Sequence, residues 1–255
     1  AEHIIVALGG SATNDGGCGA AAACGIGFYD ASGRQFVPTG STLKDVARID
    51  LSSRSPELEG IDITVMCDID NPFWGPTGAA HIFGPQKGAD SEMVALLDEG
   101  MQSLAAVIRR DTGVDVQAIA GSGAAGGMGG GMAAFFSGCL QMGIETVLDT
   151  VHFDSLLTDC DLVLTGEGKI DGQSLRGKVV IGVARRTQAY HVPTIAIVGD
   201  IADDIEGVYE MGVSAIFSIN RLAIPFVEAK KRAALDMEKT VDNLMRFIKR
   251  MDRCT

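Results

Sequence analysis

The chain has 255 residues, of which 46% are hydrophobic and 21% are charged. It is therefore long enough to bury a core and too apolar to remain disordered. Its net charge of -12, from 21 basic and 33 acidic residues, argues against a nucleic-acid backbone or an anionic membrane surface as a partner.

The first half of the chain contains two predicted strands and one long predicted helix. Residues 4–8 are an apolar run before a glycine pair, and residues 61–67 alternate before an acidic stretch; both patterns favour strands. Residues 91–111 carry apolar side chains at three- and four-residue spacing behind Asp90, which predicts a capped helix. Residues 45–60 are polar and irregular and are expected to form a surface connection. Because the chain opens on a core strand, a preceding segment is expected.

The second half alternates short apolar runs with amphipathic stretches. This alternation predicts a parallel sheet of Rossmann-like type. The predicted strands are residues 162–165, 194–198 and 215–219, and the predicted helices are residues 178–190, 203–211 and 225–251. The fold class is therefore α/β, with two α/β domains divided near residue 155.

Targeting signals and cysteine usage indicate the compartment. No apolar run reaches the roughly 18 residues of a spanning helix, and no signal-peptide pattern opens the chain. The six cysteines are scattered without a C-x-x-C pair, which is typical of reduced thiols. We expect a cytoplasmic protein.

The first candidate functional segment is residues 9–17, with the sequence GGSATNDGG. Its glycines free backbone N–H groups to converge on an anion, and its hydroxyl groups add donors. Ser11 and Asn14 are candidate ligands for a substrate, and Asp15 could hold a cation or accept a proton. The alternative is a tight polar turn that caps a helix.

The second candidate combines residues 67–72 (CDIDNP) with residues 84–88 (GPQKG). Asp68 and Asp70 lie two positions apart, so on a strand they face the same side and repel each other unless a cation lies between them. Lys87 could supply a positive charge for a phosphate. The alternative is that the polar residues only end the strand.

The third candidate is residues 121–131, which begin with a G-x-G-x-x-G pattern. A predicted strand, residues 114–119, precedes it and an apolar helix, residues 132–136, follows. A dinucleotide-binding oxidoreductase would show this order and is a rival interpretation, although the run is richer in glycine than that fingerprint requires. Close packing of a helix is a third explanation.

The fourth candidate is the predicted loop at residues 165–178. It offers two acids, a hydroxyl group and a base, namely Glu167, Asp171, Ser174 and Lys178, at the carboxyl end of a strand. The stretch also reads G-x-x-x-x-G-K, but valine follows where a P-loop has serine or threonine, so it is not interpreted as a P-loop.

Together and in this order, the four candidates resemble the glycerate kinase family of the bacterial class I type. The resemblance runs from residue 4 to about residue 218 and rests on the stretches GGSATNDGG, CDIDNP, IFGPQKGA, GAAGGMG and LTGEGKIDGQS. It implies an enzyme that phosphorylates D-glycerate with ATP and Mg²⁺, generally at the 2-hydroxyl, in a cleft between two domains. Residues 1–155 would be the smaller mixed α/β domain, and residues 156–255 the C-terminal part of the Rossmann-like domain.

The resemblance leaves the activity and the oligomeric state of this chain open. Nothing in the chain matches the family's N-terminal segment, so an inactive fragment or non-catalytic remnant is an alternative to an active kinase. D-glycerate and a nucleotide are the expected partners, and a homodimer is one oligomeric form left open.

Phosphoryl transfer depends mainly on positioning and on neutralising charge, and each candidate side chain can be given a role on that basis. The nucleotide phosphates are expected on the amides of residues 121–131, in particular Gly121, Gly123, Gly126 and Gly127, and on Lys87. Asp171 is the first choice for the base and Asp15 the second, and Lys178 is the expected catalytic cation. The expected substrate ligands are Ser11, Asn14, Asp70 and Ser174. The expected magnesium ligands are Asp68 and Glu167.

Overall fold

A computed structural model describes residues 1–172, 174 and 179–251. The chain forms two compact units, Ala1–Gly143 and a second that begins at Ile144. The sequence predicts a division near residue 155, and the boundary between these two units lies earlier in the chain. Parallel sheets with helices occur in both units, so the predicted α/β class is confirmed.

The first unit contains two three-stranded sheets. Its strands and helices are β1 (His3–Ala7), α1 (Cys18–Ala23), β2 (Gly27–Tyr29), β3 (Gln35–Phe36), β4 (Arg48–Asp50), β5 (Asp62–Met66), α2 (Ala79–Phe83), α3 (Ser91–Thr112), α4 (Ala124–Phe136) and β6 (Cys139–Gln141). Short 3₁₀ turns lie at Gly40–Asp45, Pro56–Leu58, Pro85–Lys87 and Val116–Ala118.

The parallel sheet of the first unit has the order β1-β5-β6. Central β5 alternates exposed or half-buried with buried side chains, and Val65 is fully buried in the core. Both predicted strands of this sheet are confirmed. Since parallel strands end at one edge, the polar residues that follow β1 and β5 lie at the same side of the sheet.

The second sheet of this unit is antiparallel, with the order β3-β2-β4. The expectation that residues 45–60 form only a surface connection is wrong, because β4 lies within them and buries Ile49. A strand of three residues is too short to show the alternation by which strands are recognised.

Helix α3 matches its prediction closely. Asp90 caps the helix through a carboxylate that accepts the backbone N–H of Met93 at 2.9 Å, and Gly113 ends it with φ of 78°. The stretch at residues 114–119, in contrast, was predicted as a strand and instead contains a 3₁₀ turn. It makes no strand pairing with the described residues.

The second unit contains one parallel sheet. Its elements are α5 (Gly143–Thr150), which begins on the last residue of the first unit, α6 (Phe153–Leu156), β7 (Val163–Ile170), α7 (Val179–Ala189), β8 (Thr194–Ile201), α8 (Glu206–Glu210), β9 (Val213–Ser218) and α9 (Phe226–Met251). The strand order is β7-β8-β9. The predicted alternation of strands and helices is confirmed.

Strands β7 and β8 continue further than predicted. A side chain at Gly166 would place its Cβ 2.4 Å from the carbonyl oxygen of Ile197, and one at Gly199 would lie 2.4 Å from that of Gly168. These glycines therefore let two strands approach closely and do not mark a loop. As a consequence, Glu167 lies inside β7, in register with Val198.

Candidate functional site

A cavity of about 620 Å³ lies in the first unit, at the carboxyl ends of β1 and β5. Three of the four candidate segments contribute to its wall. Among its lining residues are Gly9, Gly10, Ser11, Cys67, Asp68, Gln86, Lys87, Ala124 and Ala125. This is the edge of a parallel sheet at which ligands of α/β proteins generally bind.

Lys87 supplies the positive charge of this cavity. Its ammonium group donates to the hydroxyl oxygen of Ser11 at 3.0 Å and to the carbonyl oxygen of Thr13 at 2.6 Å. Partial burial lowers the pKa of Lys87, and the nearby carboxylate of Asp15 opposes that shift. The lysine is thus held against the glycine-rich loop while it lines a space that could admit an anion.

Asp15 is held by the backbone of its own turn. Its two carboxylate oxygens accept the backbone N–H groups of Gly17 and Gly19, both at 3.0 Å. The side chain therefore fixes the tight polar turn that leads into α1, whose N-cap residue is Gly17. Gly17, with φ of 79°, supplies the left-handed backbone that this turn needs.

Asn14 carries an unexplained buried amide. Both its side-chain nitrogen and oxygen are buried, and neither has a hydrogen-bond partner among the described residues. A buried polar group without a partner costs about 1–3 kcal/mol, so such groups are usually paired with water or a ligand. This observation keeps Asn14 as a candidate substrate ligand.

Of the two neighbouring carboxylates, only Asp68 lines the cavity. It accepts the backbone N–H of Gly143 at 2.8 Å, and both aspartates are exposed to solvent. The pair lies beyond the end of β5, which is why the two acids do not share a strand face as predicted. Cys67, which sequence reasoning did not single out, also lines the cavity, and burial raises the pKa of its thiol.

The glycine-rich run at residues 121–131 is packed into the fold. A Cβ at Gly126 would lie 2.1 Å from the carbonyl oxygen of Thr13, and one at Gly131 would lie 2.4 Å from that of Gly16. The amides of Gly123 and Gly127 donate to carbonyl oxygens of Asn71 and Gly123. The close-packing explanation therefore accounts for these positions, and these two amides do not support a phosphate cradle.

The backbone of this run also argues against the dinucleotide alternative. No strand formed by the described residues leads directly into it, as that fingerprint requires. The residues Ala125, Gly126 and Gly127 have left-handed φ values within α4. Ala125 is notable because a residue with a side chain rarely adopts φ of 53°, and it lines the cavity.

The fourth candidate segment lies in the second unit. The hydroxyl group of Ser174 donates to a carboxylate oxygen of Glu167 at 2.6 Å and accepts the backbone N–H of Asp171 at 3.2 Å. Ser174 is fully buried, so this contact fixes the carboxyl end of β7. Lys178 lies outside the described residues.

The described part of the chain holds no group of three or more His, Cys, Asp or Glu side chains that could bind a metal ion. Mg²⁺ commonly takes only one or two protein carboxylates and completes its ligands with phosphate and water. Asp68, an oxygen ligand on the cavity wall, is compatible with that mode.

Sequence reasoning missed part of the cavity. Phe83 and Gln86 line it, although only the neighbouring lysine drew attention in the sequence. The carbonyl oxygen of Thr13 could not have been found from its residue type, since every residue has one.

Both units combine parallel strands with helices, and the first holds a cavity lined by Lys87. Comparison with known proteins defines the class further. The model of the glycerate kinase family matches residues 1–249. The chain belongs to the glycerate kinase family.

Individual relatives agree with this assignment. The chain is 44% identical to a glycerate kinase of Bacillus cereus over 96% of its length and 64% of the relative. It is 45% identical to a glycerate 2-kinase of Escherichia coli K12 over 86% of its length and 58% of the relative. A crystal structure from Salmonella typhimurium LT2, assigned as a glycerate kinase 2, has 42% identity and a TM-score of 0.81 and covers 99% of this chain and 66% of that one.

These relatives are longer than the chain. The chain spans 64% and 65% of the length of the Bacillus cereus and Bacillus subtilis glycerate kinases. Among the described residues, no helix has the length and apolar character required to cross a membrane.

Proposed function

We propose that this chain carries out, or forms part of an enzyme that carries out, the ATP-dependent phosphorylation of D-glycerate to 2-phosphoglycerate. Family membership and the relatives named glycerate kinase or glycerate 2-kinase support this reaction. The structural observation that carries the proposal is Lys87, held at a cavity on the carboxyl edge of a parallel sheet.

A glycerate carboxylate needs a local cation in this protein. The chain has a net charge of -12, so its overall field repels an anion. Lys87 offsets that repulsion at one point, and its interaction with an anion is stronger because the ammonium group is partly removed from water. We assign Lys87 to the anionic group of the substrate or of the nucleotide.

Two polar side chains of the 9–17 loop then orient the substrate. Ser11 shares its hydroxyl with Lys87, and the buried amide of Asn14 has a donor and an acceptor to offer. We assign both to the hydroxyl and carboxylate oxygens of glycerate. Orientation of this kind contributes to catalysis because it replaces an encounter by a fixed geometry.

Asp68 is the residue that would hold Mg²⁺. When bound, the cation neutralises charge on the transferred phosphoryl group. Glu167 is less suited to this role than the sequence indicated, because one of its oxygens already accepts the hydroxyl of Ser174.

Asp171 is our proposed base, ahead of Asp15, whose two carboxylate oxygens hold the backbone of the turn before α1. It would accept the proton of the substrate 2-hydroxyl as that oxygen bonds to the terminal phosphorus of ATP and ADP leaves. Its position directly after β7 supports this assignment. Lys178 and a cleft between domains stay predictions of the resemblance, as do a cytoplasmic location and a homodimer.

The test is ADP release by the 255-residue chain with D-glycerate, ATP and Mg²⁺. Lys87→Ala is expected to lower kcat/KM at least tenfold, as loss of one charged ligand does in many enzymes. Lys44→Ala is the matched control, because Lys44 is exposed in the same unit and lies outside the cavity.

Each outcome separates the alternatives. Equal activity of both folded variants would place the anion site elsewhere. A folded parent chain without turnover would favour the non-catalytic alternative. Identification of 2-phosphoglycerate by NMR would decide which hydroxyl is phosphorylated.

A further inference from the structure

A second cavity is lined by none of the residues assigned to catalysis. It is an open groove of about 1160 Å³ in the second unit, between β9 and the last part of α9. Among its lining residues are five cationic side chains and one carboxylate. The cations are Arg221, Lys239, Arg246, Lys249 and Arg250.

The charges in this groove are only partly compensated. Arg246 pairs with Asp242 at 2.9 Å, and Arg221 lies 3.8 Å from Asp236. Lys239 and Lys249 form no ion pair with any residue in the described part of the chain. Two lysines without an ion pair, beside three other cations, create a local attraction for anions in a chain with net charge -12.

The helix dipole accounts for only some of these cations. Lys249 and Arg250 lie in the last turn of α9, where positive side chains are generally favourable. Lys239 lies three turns earlier, and Arg221 precedes the helix altogether. Their position in the groove therefore needs another explanation.

Two further features of the groove suggest the kind of anion. Phe217 and Phe247 line it with 38% and 62% of their surfaces exposed, and exposed aromatic rings can stack on a planar base. The hydroxyl oxygen of Thr240 is buried there and has no partner among the described residues. Phosphate oxygens accept hydrogen bonds from hydroxyl, ammonium and guanidinium groups.

We propose that this groove is a binding site for a nucleoside polyphosphate. Lys239 and Lys249 contact the phosphate chain, Thr240 donates to it, and the base stacks on Phe247. The proposal concerns a site in the second unit and uses none of the residues assigned to catalysis, so it does not depend on turnover of D-glycerate.

The probes are ATP and inorganic tripolyphosphate, titrated into the chain by calorimetry at low and moderate ionic strength. Lys239→Glu combined with Lys249→Glu is expected to weaken both ligands at least tenfold. Lys230→Glu combined with Lys231→Glu is the matched control. It makes the same change in net charge at exposed positions of the same helix outside the groove and is expected to change affinity less than twofold.

Phe247→Ala separates the two parts of the ligand. It is expected to weaken ATP about tenfold, the usual effect of losing one stacked base, and to leave tripolyphosphate unchanged. Replacement of Lys239 and Lys249 by glutamine provides a milder charge change if the glutamate variant does not fold.

Three results would overturn the proposal. These are no binding of either probe, equal weakening in the groove and control variants, or displacement of ATP by an acidic peptide that binds more tightly. Absence of glycerate turnover with groove binding intact would count against the catalytic proposal alone.

Discussion

Gly126 provides a direct test of the contact between the glycine-rich run and the candidate site. Its φ is 71°, and an added Cβ would lie 2.1 Å from the carbonyl oxygen of Thr13 and 2.7 Å from the Cα of Asn14. Both neighbours are backbone atoms, so a side chain at this position cannot be accommodated by a rotamer change. Gly126→Ala must therefore displace part of the 9–17 loop or of α4.

Gly60 is a closely matched control. Its φ of 73° is nearly the same, but an added Cβ would meet no atom within 4 Å. Gly60→Ala is therefore expected to lower the free energy of unfolding only by the cost of a left-handed alanine, about 1 kcal/mol. Gly126→Ala adds the cost of overpacking, about 1–3 kcal/mol. We therefore expect it to lower the free energy of unfolding by about 2–4 kcal/mol in total.

The assay is urea unfolding monitored by circular dichroism, with the two units fitted as separate transitions if they do not coincide. The difference between the two variants is the quantity of interest, because the conformational cost cancels. A difference below about 0.5 kcal/mol, near the additivity error of such comparisons, would refute the contact. Since Thr13 also accepts from Lys87, we expect Gly126→Ala to lower activity as well.

Three further predictions concern charged side chains. Arg186 bridges carboxylates of α5 and α6, so Arg186→Met is expected to lower the free energy of unfolding by about 1–2 kcal/mol, with Arg185→Met near neutral. This difference should shrink in high salt, because salt screens the bridges, and a difference that does not depend on salt would contradict their contribution. A hydrogen bond from Arg110 lowers the pKa of Asp111, so its stabilisation is complete above the ordinary carboxyl pKa and is lost as pH falls through the lowered one; Asp111→Asn should flatten this acid limb of a stability–pH profile. Burial lowers the pKa of Lys87, so this side chain loses its charge at a pH below the ordinary lysine pKa. Anion binding that needs the charge should therefore weaken in the pH range just below that ordinary value. A KM for glycerate that stays constant through this window would contradict the assignment.

The long elements of the fold could be predicted from the sequence because their signals are local. Helix α3 shows its period over six turns, together with a capping aspartate and a terminal glycine. Strands β1 and β5 show apolar runs bounded by glycine or acid. The short antiparallel strands carried no such signal, since three residues do not establish a period.

Glycine was the main source of error. Within β7, glycines were interpreted as the start of a loop, whereas they allow close contact with β8. In residues 121–131 they were interpreted as a phosphate cradle, and several of them pack against the 9–17 loop, a contact that the sequence did not predict. The same residue type serves turns, ligand contacts and close packing, and the spatial neighbour that distinguishes these uses is remote in sequence.

The candidate site was predicted better by side-chain chemistry than by spacing. Ser11, Asp68 and Lys87 come together at one cavity although 76 positions separate the serine from the lysine. The i, i+2 argument for Asp68 and Asp70 was wrong, because these residues follow the strand and do not belong to it.

The anchoring of Lys87 by Thr13 has a consequence for how the sequence can vary. The contact uses the carbonyl oxygen, and the residue itself is exposed, so many side chains at position 13 would supply the same acceptor. Gly16, three positions on, has φ of 64°, and an added Cβ there would lie 2.5 Å from the buried side chain of Leu104. A saturation library over this loop should therefore be permissive at position 13 and restrictive at position 16, so that tolerance to mutation changes sharply within one turn of chain.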